Sequence, residues 1–416
     1  MTVDSHELRG GRRWRPRRRG WLGSLALVLM SWAAPHDAVG QGVVRLDDFV
    51  GPLVNGSRVV GLGGAYAAIA EGIDGVFVNP AAIAVRPASF ADEWFDWDVG
   101  FSSLHTVGGD IQLDRSPSHA GAAAGSGSAQ VLGLRLSFGR FAISLQAVVT
   151  EYALVAGTGA ASAGYSQSSA SPAIGLGWAF GRGEWVVGTV IQGDNAVLTR
   201  VGTGGERVTF GSVFAPRGFG VLWAPHGRAF RLGGAVQLPV RMTQPLGETW
   251  GGEPVTKLGK LRVPNSIDRG ASLTLGAVWQ LVGHSGNRPA TFGEMSPPRL
   301  KWRGPPVIIA SDVVVTGPVA DGFGVLGYLH REHDASGRRF AISPRVGVES
   351  ELLERRLRVR TGAYFEPSRF ESTRGRVHWT GGSDVRLSVL LDWRLGVFWD
   401  LASHYRNVSL SVGLWH

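Results

Sequence analysis

The sequence contains no cysteine in 416 residues. A disulfide framework, a thiolate metal site and an acylated N-terminal cysteine are therefore excluded. Charge is also scarce, at 18% Asp, Glu, Lys and Arg against 44% apolar residues, a balance that does not suit a disordered chain. Beyond residue 40 no stretch offers about 18 consecutive apolar residues, so no transmembrane helix is expected there. The formal charge of +9 suggests nucleic acid only until it is located. Residues 1–40 hold seven arginines against Asp4, Glu7 and Asp37, leaving +5 of that charge scattered over the rest. No basic stripe remains, and no nucleic-acid partner is expected.

Signatures of catalysis are equally thin. No Gly-x-Ser-x-Gly elbow occurs, and no histidine stands beside a serine nucleophile. His330, Glu332 and His333 in LHREHD fall in an expected solvated loop, with no further ligand anchored by regular structure. No catalytic residue, metal or cofactor is expected. Gly61-Leu62-Gly63-Gly64 has the look of a dinucleotide loop, but no βαβ unit follows it.

Much of the positive information lies in alternation. Arginines, the apolar run WLGSLALVLMSWAA and Ala38-Val39-Gly40 form the three parts of a secretory leader over residues 1–40. Cleavage is expected after Gly40, with Ala34 the alternative. Further on, Leu132, Leu134, Leu136 and Phe138 share one face of a period-two run, and Gly133, Arg135 and Ser137 share the other. Gly139-Arg140 then reads as a hairpin into Phe141–Val149. About fifteen such runs follow one another from residue 90 to the C-terminus, and the even count of fourteen strands is preferred. The runs near 323–329 and 339–352 are either one interrupted strand or two.

Short connections at 139–140, 181–183, 226–227 and 353–355 alternate in the first half with longer ones near 105–129, 155–171, 194–215 and 241–270. Only 283–305 is long where a short turn is due. Transmembrane barrels have one rim of short turns and one of long loops, whereas a soluble sandwich has no reason to alternate in this way. Arg135, Arg358, Arg360, Arg386 and Arg394 lie opposite the leucines and would point into the lumen. Unpaired in a dry core each would cost several kcal/mol, a cost that a wet or polar interior largely removes. The 61 glycines suit tight turns, and the 15 tryptophans suit interfacial girdles. The expected fold is an all-β, transmembrane antiparallel barrel of about fourteen strands in the outer membrane.

The segment Arg58-Val-Val-Gly-Leu-Gly-Gly-Ala65 through Asn79-Pro80-Ala81 resembles the N-terminal plug of the FadL/TodX-type outer-membrane transporters of hydrophobic compounds. Arg360-x-Gly362-x-Tyr364-x-Glu366-Pro367-Ser368, followed by His378-x-Thr380-Gly381-Gly382-x-Asp384, is similar to a late-strand pattern in some members. The resemblance implies a leader at 1–40, a hatch at 41–88 folded inside the lumen, and a barrel at 89–416. Gly61, Gly63, Gly64, Ala65, Asn79, Pro80 and Ala81 would form the hatch motif. Ala65, Ala67, Ala68 and Ala70 would lie on a slim helix, and Pro80 would hold Asn79 in a turn. The implied partners are a hydrophobic small molecule, fatty acid or aromatic, together with outer-membrane lipid and the barrel-assembly machinery. PorV-type barrels, which assist protein secretion, share the Gly-Gly-Ala and Asn-Pro-Ala elements and supply the second functional reading.

Overall fold

The computed structural model describes residues 43–49, 51–86, 93–107, 127–156, 163–201, 205–245, 256–282, 287, 307–329, 333–353, 356–387 and 392–414. The expected leader at 1–40 and the loop residues His330 and Glu332 lie outside these. No helix of the described residues is long and apolar enough to cross a membrane.

The strands close on themselves. β1 (Arg45–Asp47) stands apart and is taken up below. β2 (Phe95–Thr106), β3 (Gly127–Phe138), β4 (Phe141–Ala156) and β5 (Ala163–Phe180) pair antiparallel in sequence order. Four broken staves follow: β6 with β7 (Trp185–Gln192, Asn195–Val201), β8 with β9 (Arg207–Gly211, Ala215–Trp223), and β10 with β11 (Phe230–Gln237, Val240–Thr243). The fourth, β14 with β15 (Ser266–Arg269, Ser272–Val282), comes after the small hairpin of β12 (Lys257–Leu258) and β13 (Leu261–Arg262). β16 (Val307–Thr316) pairs with β15 and with β19 (Ala341–Leu353). β20 (Leu357–Glu366), β21 (Arg376–Arg386), β22 (Trp393–Ala402) and β23 (Tyr405–Leu414) complete the circuit. β23 returns to β2, with Gly100 opposite Gly413 and Thr106 opposite Asn407. Counting each broken stave once gives an antiparallel barrel of fourteen strands.

The breaks have local causes. Pro239 has no N–H to give the ladder between β10 and β11. Between β6 and β7 the ladder is replaced by hydrogen bonds from Asp194 N to Ser212 Oγ and from Ser212 N to the Asp194 carbonyl. Beyond the breaks the wall continues as a second tier, toward the rim of longer connections. There β1 inserts parallel to both β14 and β17 (Gly322–Gly324), with Leu46 level with Ile267 and Phe323. β18 (Ala335–Ser336) closes the far side of β17. Arg45–Asp47 thus belongs to the wall, although it precedes the segment inside.

Alternation sets the two faces. On β3, Arg135 and Ser137 are buried inside, while Leu132 is exposed outside. Exposed aromatics crowd the short-turn rim, including Phe95, Trp178, Phe180, Trp185 and Trp279. Three spans depart from the sequence expectation. Much of 155–171 and 194–215 is strand rather than loop: AGYSQSSASP has one large apolar residue, Tyr165, among mostly small or polar ones, so periodicity is silent while the β4 ladder continues. Val325–Leu329 forms a short helix, α2, directly after β17 rather than a barrel strand. On the second-half long-loop rim, β22 and β23 are joined by Ser403-His404 alone. The connection from Val282 to Val307 is long on the short-turn rim, as the sequence indicated.

Candidate functional site in the barrel lumen

Residues 51–86 lie against the inward faces of the strands and are almost wholly buried. Their helix, α1, spans Ser57–Gly61 and stops where Gly63 and Gly64 adopt φ of 62° and 76°, a region closed to most side chains. The expected alanine helix does not form. Ala65–Ala70 runs through turns, because the two positive-φ glycines end the helix before the alanines begin. Small side chains serve a different purpose there, which is close approach of backbone to wall.

The wall makes room in a matching way. A Cβ on Gly188 would stand 2.0 Å from the Pro80 carbonyl oxygen, and one on Gly220 would stand 2.0 Å from Asn79 Oδ1. A Cβ on Gly233 would stand 2.0 Å from the Ala67 carbonyl oxygen, and one on Gly347 2.4 Å from that of Leu62. Many glycines assigned to turns by composition are therefore inward-facing strand residues. They leave the lumen wide enough for a second layer of chain.

Polar groups then fix that layer. Asn79 takes an extended backbone and caps the 3-10 turn Pro80–Ala84, accepting from Ala81 N at 3.0 Å. Its Nδ2 donates to the carbonyls of Ala67 at 2.7 Å and Val221 at 3.1 Å. Asp312 Oδ2 accepts from Tyr66 N and Ala67 N, both at 2.8 Å, and Asp98 Oδ2 accepts from Ile73 N at 2.7 Å. Thr380 Oγ1 donates to the Gly61 carbonyl. The expected motif residues Gly61, Gly63, Gly64, Ala65, Asn79, Pro80 and Ala81 are all buried in this layer.

Ion pairs span the same boundary. Arg58 of α1 binds Glu349 at 2.7 Å and reaches Glu71, which also binds Arg231 of β10 at 2.8 Å. Glu349 holds Arg360, Arg360 holds Asp384, and Asp384 holds Arg394. Arg394 closes the ladder on Asp74, at 2.7 Å. Burial pushes the Glu71 carboxyl up, but Arg231 and Arg58 more than offset it and hold it below the usual carboxylate range. Of the five expected lumen arginines, Arg358 also joins this network through Glu349 and Glu351. Arg135 binds Asp96 and the Val85 carbonyl apart from it, and Arg386 pairs with Asp392. All five side chains are turned inward and paired. Their burial is tolerated through the acidic and carbonyl partners of a polar interior.

Two further groupings appear: the first gathers Tyr364, Glu366 and His378 of the late-strand pattern, and the second was missed by the sequence reading. Tyr364 accepts from Leu53 N and donates to Asp400, whose other oxygen meets His378 Nδ1 at 2.7 Å. His378 Nε2 meets Glu366, which also accepts from Arg376. Toward the long-loop rim, Leu46, Tyr152, Tyr165, Phe210, Met242 and Tyr328 belong to one buried apolar cluster. His333 contacts the rings of Phe323 and Tyr328 at its margin.

Where the second tier meets the first, a crevice of about 30 Å³ runs between Phe77 and Pro80 inside and Arg217, Gln237, Leu238 and Gly270 of the wall. It is about one water's share of liquid volume. It is closed to a hydrocarbon as it stands.

This architecture recurs in solved structures. A FadL homologue from Pseudomonas aeruginosa matches with a TM-score of 0.53 at 13% identity, over 86% of this chain and 98% of its own. The toluene transporter TodX of P. putida matches with a TM-score of 0.53 at 12% identity, over 87% and 98%. The fold is that of the FadL/TodX-type channels. The monoaromatic hydrocarbon channel CymD matches with a TM-score of 0.52 at 11% identity, over 88% and 97%. No protein-family model matches the sequence, and no curated protein matches it.

Proposed function

We propose that the protein is an outer-membrane channel for the passive passage of hydrophobic small molecules, with residues 51–86 as its hatch. The observation that carries this reading is the apolar cluster of Tyr152, Tyr165, Phe210 and Tyr328, enclosed at the long-loop rim of a lumen whose passage is filled. A ligand would partition into that cluster from outside. It would leave where the breaks of four neighbouring staves meet Phe77 and Pro80, once the hatch shifts. The leader at 1–40 would direct the chain to export, and barrel-assembly machinery would insert it. In this reading no residue acts as a catalyst, and the hatch motif of Gly61, Gly63, Gly64, Ala65, Asn79, Pro80 and Ala81 serves packing and movement.

Fatty acids and neutral aromatics are both candidate cargo. The test is uptake of labelled oleate and toluene by cells carrying or lacking the gene, with a chain lacking residues 56–84 as a third arm. Uptake above the null strain for either compound, altered by the deletion, is expected. Equal uptake in all three strains, with a stoichiometric protein partner co-purifying, would favour the PorV-like secretion role instead.

A further inference from the structure

The outer face of the barrel carries a second constructed site, at the short-turn rim between the β5–β6 and β9–β10 connections. A cleft of about 570 Å³ is lined there by Glu184, Trp223, Pro225, His226, Arg228 and Phe230. That volume is within the range of small-molecule pockets. Trp223 and Phe230 of its lining belong to an aromatic row, with Trp185 stacked on Trp223 at 5.7 Å and Phe230 edge-on to Trp223 at 5.7 Å. Phe230 is in turn level with Trp279 of β15. Trp223, Trp185 and Phe230 all project from the outward face, so the cleft lies outside the lumen.

The turn forming the cleft is held in place by a residue far away in sequence. Asn287, from the connection between β15 and β16, donates through Nδ2 to the carbonyls of Pro225 at 3.0 Å and Phe230 at 2.8 Å. Its backbone bonds Gly227 and Arg228, and its Oδ1 accepts from Arg231. With the backbone so fixed, the polar side chains remain uncommitted. Glu184 and Arg228 make no ion pair among the described residues. His226 Nε2 is buried with no hydrogen-bond partner. A cation, an anion and an imidazole nitrogen thus share one cleft on a tryptophan face.

We propose that this cleft binds the headgroup of a phosphoethanolamine lipid. The phosphate would lie on Arg228 and His226, since a guanidinium grips phosphate oxygens with paired N–H donors. The ammonium would lie on Glu184 against the face of Trp223, where charge pairing and the ring quadrupole both favour it. Acyl chains would follow the exposed outward residues Val187, Val221 and Leu232 just beyond the aromatic row. A lipid is the occupant that needs both halves, because tryptophan rims mark the headgroup level of a bilayer. The Glu184 carboxylate, with no ion pair among the described residues, disfavours a purely anionic headgroup. The inference rests on the outer-membrane reading, which places the short-turn rim in the periplasmic leaflet.

The test is native mass spectrometry of the detergent-extracted full-length protein, given equal dioleoyl phosphatidylethanolamine, phosphatidylglycerol and phosphatidylcholine. One retained phosphatidylethanolamine is expected. Arg228→Gln should lower its retention about tenfold, and Glu184→Gln should reduce its preference over phosphatidylglycerol about fivefold. Both residues sit in surface turns, and heat-modifiable gel mobility confirms that each variant is folded. Equal retention of the three lipids by the wild type, or retention unmoved by both substitutions, overturns the site. Membrane fractionation separates this from the broader reading. A folded chain absent from the outer membrane sinks the channel proposal, whereas a membrane-inserted barrel indifferent to headgroup sinks only the lipid site.

Discussion

Arg394 Nη2 donates to Asp74 Oδ2 at 2.7 Å, joining β22 to the N-terminal segment across 320 residues of sequence. Both side chains are nearly inaccessible, and Arg394 also serves Asp384. Arg394→Ala would leave two carboxylates buried without this cation, a loss of about 3–5 kcal/mol. The expected result is a lower urea midpoint for the folded barrel and freer protease access to residues 51–86. An unchanged midpoint would mean that the ladder does not anchor the segment.

Gly220 and Gly234 offer a matched comparison. A Cβ at Gly220 meets Asn79 Oδ1 at 2.0 Å, whereas one at Gly234 finds its nearest neighbour, Leu275, at an ordinary 3.5 Å. Gly220→Ala should cost about 1–3 kcal/mol through displacement of Asn79, and Gly234→Ala should be close to neutral. Thermal inactivation of the two variants in parallel checks this. Equal effects would contradict the packing account.

Asp312 accepts two backbone N–H groups with one oxygen. Asp312→Leu strands both donors in a buried site, at about 1–3 kcal/mol for each. Asp312→Asn keeps an acceptor oxygen and should recover most of the loss. Amide exchange at Tyr66 and Ala67 reads this directly: it should quicken in the leucine variant and remain slow in the asparagine variant.

The three-way contact of Glu71 with Arg58 and Arg231 gives a pH dependence of defined sign. The folded carboxyl titrates below its ordinary 4.5. Its stabilising contribution is therefore complete above that value and lost as pH falls through the lower folded-state value. The Glu71 contribution should show as a rise in limited proteolysis of the segment below about pH 4.5. Glu71→Gln should shrink this rise to what the Arg58–Glu349 and Arg394–Asp74 pairs contribute.

The antiparallel strand series was legible because its signal is local. Each of LGLRLSF and RLRVRTGAYF alternates within its own few residues, and the turns at Gly139-Arg140 and 181–183 join antiparallel neighbours. The second tier was not legible, because 163–171 holds only Tyr165 as a large apolar residue and so shows no alternation, and Leu46 finds its partners Ile267 and Phe323 more than 200 residues away. The inward arginines could be placed by alternation alone. Their acids could have been found by the same rule, since Asp312, Glu349 and Asp384 hold inward positions among outward valines. The tertiary contacts of Asn79 and the headgroup cleft depend on register between distant strands. Sequence spacing carries no trace of either.

In the proposed channel, residues 51–86 must move for a hydrophobic ligand to pass. Ser57 N lies 3.2 Å from Ser102 Oγ of β2, and the chain has no native cysteine to interfere. The double variant Ser57→Cys/Ser102→Cys can therefore tie the segment to the wall by oxidation and free it by reduction. Uptake of labelled oleate and toluene should fall at least about tenfold on oxidation and return with dithiothreitol. Undiminished uptake of both compounds with the disulfide fully formed would contradict the account.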